Sequence, residues 1–67
     1  MSTTVVTVTG MTCNHCAMSV REEIEEIPGV TGVAVDVDSG RVEITSTADL
    51  DGAAIAAAVT EAGYQLA

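Results

Sequence analysis

Sixty-seven residues, 48% of them apolar, with ten carboxylates against only Arg21 and Arg41 and a net charge of -8, describe one small acidic domain. The apolar share is too high for a disordered chain, and the charge repels phosphate backbones and anionic headgroups, so no nucleic-acid partner is expected. No apolar run approaches the roughly 20 residues of a membrane span, and no basic segment followed by an apolar one opens the chain, so no direct membrane insertion and a cytoplasmic location are expected.

Thr3 to Thr9 reads as a strand, with Val6 and Val8 on one face, Thr7 and Thr9 on the other, and Val5 out of the alternation. Gly10 ends it. From Asn14 to Ile27 the period changes, because Ala17, Val20, Ile24 and Ile27 recur at steps of three and four, which predicts an amphipathic helix. Asn14 is its expected N-cap and Pro28-Gly29 its stop. Val30 to Asp38 alternates Val33, Val35 and Val37 with Ala34, Asp36 and Asp38; Asp38-Ser39-Gly40 is a turn; and Val42 and Ile44 continue a hairpin partner. A second helix starts at an Asp51 cap, carries Ile55, Ala58, Val59 and Ala62 as its apolar stripe, with Leu50 packing just before it, and stops at Gly63. A short last strand follows from Tyr64 to Leu66. The order β-α-β-β-α-β is the split βαβ, or ferredoxin-like, α+β arrangement: a four-stranded antiparallel sheet with both helices on one face. It brings the loop after the first strand and the loop before the last to one end of the sheet, making neighbours of Cys13, Cys16 and Tyr64.

The two cysteines sit where the first strand pattern gives way to the helix. A disulfide between them would close too short a loop to restrain the unfolded chain usefully, and in a reducing compartment a C-x-x-C pair is more often metal-binding or catalytic than a permanent crosslink. Two soft sulfurs suffice for Cu(I), whereas Zn(II) ordinarily takes four ligands. Cys16, in the first helical turn, has its thiolate favoured by the helix's positive end. Cys13, on the loop, is expected to be the more mobile ligand.

Gly10-Met11-Thr12-Cys13-Asn14-His15-Cys16 resembles the G-M-T/S-C-x-x-C motif of heavy-metal-associated domains, and the Gly63-Tyr64 pair looks like the version found in bacterial copper chaperones. The resemblance covers nearly all of residues 1–67. It implies a Cu(I) chaperone, not an enzyme, that holds copper on Cys13 and Cys16 and passes it by ligand exchange to the metal-binding domain of a copper-transporting P-type ATPase. It further implies that Met11 packs under the loop and that the Tyr64 hydroxyl serves the sulfurs, while excess Cu(I) would bridge two copies into a homodimer. Ag(I) shares copper's softness and is expected to bind as well. His15 is open to two readings, a solvated spectator or a group that tunes thiolate basicity and supplies a donor in a shared-copper dimer. Met18 reads as surface packing beside a docking patch. Glu22, Glu23, Glu25 and Glu26 read as a solvated face or as a charge-complementary one, and nothing in helix electrostatics favours them in that half of the helix. Three rival identities are an excised N-terminal domain of the ATPase, a thiol-disulfide redox module, and a mercury-binding relative. Known mercury-binding periplasmic relatives carry a secretory signal. Zinc-exporting relatives place an acid where this chain has Thr12.

Overall fold

A computed structural model describes residues Met1 to Ala67 as β1 (Ser2–Thr9), α1 (Asn14–Glu25), β2 (Val30–Val35), β3 (Arg41–Ser46), α2 (Gly52–Glu61) and β4 (Gln65–Leu66). The strands form one antiparallel sheet in the order β2-β3-β1-β4. Alternation decides which side is buried: Val8 on β1 and Val42 and Ile44 on β3 join Val20 and Ile24 of α1 and Ile55, Ala58 and Val59 of α2 in one core. Both helices therefore cover the same face, as the α+β ferredoxin-like order requires. The opposite face carries Thr3, Val5 and Thr7 opposite Thr45, Glu43 and Arg41. Val5, out of step in the sequence, is 48% exposed there. No helix is long and apolar enough to cross a membrane.

Three details differ from the sequence-based expectation. The N-cap of α1 is Cys13 and not Asn14, which is already helical. The strand expected to reach Asp38 ends at Val35, because the Asp36 carboxylate accepts the Asp38 N–H at 3.1 Å and the Asp36 carbonyl accepts the Gly40 N–H at 2.9 Å. Those two bonds close a turn in place of ladder pairs. Gly40 is obligatory in it: at φ +75° a Cβ would lie 2.4 Å from the Val8 carbonyl oxygen. Third, Val30 pairs with Ser46 but Gly32 with Thr45, so β2 holds one residue more than β3 over that stretch. This bulge puts Val30 on the same side as Val33 and Val35, although their odd spacing would put it opposite in a regular strand.

The acids of α1 are distributed unevenly. Glu25 accepts from Arg21 at 3.4 Å. Partial burial pushes the Glu23 carboxyl above its ordinary value, and repulsion from Glu26, Glu61 and Glu22 adds to the shift.

Candidate metal centre

The site is built on the four residues between β1 and α1, Gly10 to Cys13, together with the first turn of α1. Gly10 adopts φ +90°, and its missing Cβ leaves the Tyr64 ring in van der Waals range, 3.5 Å from where that atom would be. Met11 turns inward and is buried with the core. Cys13 is extended (φ -157°, ψ 175°) and opens α1 without capping it through its side chain. From that cap to the first helical turn is three residues, and the two sulfurs end 3.7 Å apart as free thiols. Sulfur donors this close can bind one metal ion together.

The two thiols have different surroundings. Cys13 is exposed, whereas Cys16 is half-buried and packs on the core. The Cys16 thiol is lowered from 9.0 to about 6, chiefly by a backbone hydrogen bond from Thr12, then by the Tyr64 hydroxyl and by the Thr12 hydroxyl, which lies 3.8 Å from the sulfur. Partial burial opposes this, and the Cys13 thiol adds a smaller stabilisation. Near neutral pH Cys16 is therefore largely thiolate, the form that binds metal. The same bond seen from the other side raises Tyr64 above its ordinary value, since the hydroxyl keeps the proton it donates to Cys16.

Tyr64 reaches the site through the turn after α2. The Gly63 N–H bonds the Thr60 carbonyl, Gly63 takes φ +93°, and the Tyr64 N–H bonds the Val59 carbonyl at 3.0 Å. That hairpin-like closure brings the ring back over Gly10. Of the residues singled out from the sequence, Cys13, Cys16 and Tyr64 are thus brought together and Met11 lies beneath them. His15 is not in the cluster: it sits exposed on the first turn of α1, and its imidazole makes no hydrogen bond. Thr12 is the residue whose contribution the motif did not disclose. Its signal was its position four residues before Cys16, within reach once Cys13 caps the helix. Nowhere in the chain do three or more His, Cys, Asp or Glu side chains gather as a metal-binding group. The donor set is two sulfurs, which is short of the four ligands of a structural zinc site.

A βαββαβ domain that presents two unequal thiols at a helix start, one exposed and one half-buried, has the donors that a soft metal ion or dithiol chemistry would use. The chain belongs to the heavy-metal-associated domain family, whose pattern spans residues 5–65. It is similar to the COP-associated protein of Helicobacter felis, 36% identical over 61 residues that cover 91% of this chain and 92% of that protein. It is equally similar to the copper chaperone CopZ of Bacillus subtilis, 36% identical over 61 residues covering 90% and 88%. Its fold superposes on a solved CopZ metallochaperone with a TM-score of 0.91 and 27% identity, over 98% of this chain and 100% of that one. Longer proteins contain the same unit: it matches 7% of the length of copper-transporting ATPase 2 of Rhizobium meliloti at 40% identity, and 13% of a mercuric reductase of Serratia marcescens at 36%.

Proposed function

We propose that this protein is a cytoplasmic Cu(I) chaperone, which carries copper as a bis-thiolate complex on Cys13 and Cys16 and transfers it to the metal-binding domain of a copper-transporting P-type ATPase. The observation that carries this reading is the two-sulfur donor set at 3.7 Å with no third ligand beside it. The similarity to named copper chaperones along almost the whole chain supports it. Cu(I) is satisfied by few soft ligands. With the zinc–thiolate bond of about 2.3 Å as the scale, a linear complex needs the sulfurs about 4.6 Å apart. They must separate by less than about 1 Å from the spacing found here, and the exposed Cys13 is the one free to move.

Exposure also permits exchange. A thiolate from the acceptor can attack the metal before either original ligand leaves, so copper passes through three-coordinate intermediates and is never released as a free ion. No bond in an organic substrate is made or broken. Because the ATPase relative contains a domain of the same family, donor and acceptor sites are chemically alike and the direction of transfer follows copper supply. Ag(I), equally soft, binds the same pair, and excess Cu(I) recruits thiolates from a second copy to form a copper-bridged homodimer. The same residues would serve within an ATPase if this domain worked as part of one. A reducing cytoplasm keeps the pair as free thiols.

Transfer is tested by mixing the reduced, Cu(I)-loaded chain with the copper-free N-terminal domain of a copper-transporting ATPase in the presence of a Cu(I) chelator, separating the two proteins and measuring copper in each. Copper should redistribute between the proteins without appearing on the chelator. Copper that stays on the chain, or that reaches the ATPase domain only by way of the chelator, contradicts a chaperone. Catalytic turnover of a thiol-disulfide substrate by the same pair would assign it to redox chemistry instead.

A further inference from the structure

We infer that the outer edge of β2, with the groove between it and α1, is a docking site for an extended segment of another protein, apolar at its centre and basic at both ends. β2 has only β3 as a neighbour. The Asp36 N–H donates to the Arg41 carbonyl at 2.8 Å, so Asp36 and Arg41 are a hydrogen-bonded pair. By alternation along the register, so are Ala34 and Glu43. The N–H and C=O groups of Val33 and Val35 consequently point away from the sheet and are open to a further strand.

Natural edge strands are usually guarded by charge, proline or brevity. The other edge of this sheet, β4, is guarded by being two residues long. β2 has six residues, Val-Thr-Gly-Val-Ala-Val, with neither charge nor proline, and its bulge lies only at the Val30–Gly32 end. Beside Val33 and Val35 runs a groove of about 410 Å³ whose helical wall is Asn14, Ala17, Met18 and Arg21. Met18 is 56% exposed and gives the groove an apolar wall that solvent can reach. An added strand would place alternate side chains in that groove while its backbone pairs with Val33 and Val35.

Charge decides the occupant. Met18 and Arg21 also border a second, smaller depression with Glu22 and Glu25, and Arg21 is already paired to Glu25. At the other end the strand leads into exposed Asp36 and Asp38. An apolar middle between two acidic ends fits a segment with lysine or arginine on both flanks. A second copy of this chain does not fit, because antiparallel pairing of two β2 strands would bring Asp36 and Asp38 of one copy toward the acidic end of α1 in the other. The groove begins at Asn14, next to Cys13, so a protein held there has its body beside the sulfurs without using them.

The test uses the reduced, metal-free full chain and three synthetic peptides: alternating Val-Thr flanked by two lysines at each end, the same core flanked by glutamates, and the lysine peptide with prolines in its core. The lysine peptide should shift the amide signals of Val33 and Val35, slow their hydrogen exchange, and bind more weakly as salt is raised. Glutamate flanks or core prolines should abolish these effects. Met18→Ser, at an exposed position that leaves the core intact, should weaken binding about tenfold, equivalent to about 1.4 kcal/mol of lost apolar contact. Unchanged Val33 and Val35 signals, equal binding of the lysine and glutamate peptides, or self-association of the free chain through β2 would overturn the assignment.

Discussion

The two helices of this domain start in similar ways and are finished differently. Each follows a residue in extended conformation, Cys13 before α1 and Asp51 before α2. Asp51 accepts the Ala53 N–H on its carboxylate at 2.9 Å, whereas Cys13 makes no side-chain cap. A good cap contributes about 1 kcal/mol, and α1 forgoes it. In its place a sulfur stands free at the helix start, 3.7 Å from a second sulfur that is held as thiolate by Thr12 and Tyr64. On the proposed function, one helix start serves stability and the other serves the metal, so local folding rules give way where the chemistry would be.

Cys13→Ser puts this contrast under the greatest stress. It should lower Cu(I) affinity by orders of magnitude while supplying α1 with a proper cap, raising metal-free stability by about 1 kcal/mol. In a domain of this size that is a rise in Tm of about 4–8 °C, read by thermal unfolding of the reduced protein. Retained affinity, or lost stability, would break the comparison.

Tyr64→Phe should act next most strongly. It removes a hydroxyl from Cys16 but leaves both sulfurs, and should cost about tenfold in Cu(I) affinity near neutral pH. The loss should shrink in alkaline solution, where protons no longer compete for the thiolate. Thr12→Val should have the same sign and a smaller size, since the Thr12 backbone hydrogen bond, the largest influence on Cys16, survives it.

Asp51→Ala sharpens the contrast from the other side. It should destabilise the fold by about 1 kcal/mol and leave Cu(I) affinity unchanged in a competition titration. The smallest signal is the pH dependence of metal-free stability, because the half-exposed sulfur is screened by solvent. The folded-state value of Cys16, about 6, lies below its ordinary 9.0. Its stabilisation is thus present above the unfolded value and lost as pH falls through about 6. Tm should climb between these two values, and the climb should vanish in Cys16→Ser.

Much of this was legible because it is local. Asp51 before an alanine-rich apolar stripe, Gly63 at a helix end, and Val42 and Ile44 alternating with Arg41 and Glu43 each carry their structural consequence in a few neighbouring residues. The cysteine pair and Tyr64 could be placed at one end of the sheet from element order alone. What escaped notice depended on competition or on distant partners. The sequence suggested an asparagine cap, but Asn14 is drawn into the helix and Cys13 takes its place. Asp36 continues an alternating pattern, yet its carboxylate captures the Asp38 amide and ends the strand. The bulge at Thr31 reflects the pairing of Val30 with Ser46 across the hairpin, which no pattern within β2 could reveal. Thr12 reaches Cys16 only once the chain turns from the loop into α1, where its hydroxyl lies 3.8 Å from the sulfur.

The most direct test of the two-sulfur site is an anaerobic titration of the reduced protein with Cu(I) against a competing chelator, repeated with Zn(II), following stoichiometry and loss of free thiols together. One Cu(I) per chain, consuming both thiols and held far more tightly than Zn(II) under matched competition, is the expected result. Comparable or tighter binding of Zn(II), or Cu(I) uptake that leaves either thiol free, would contradict it.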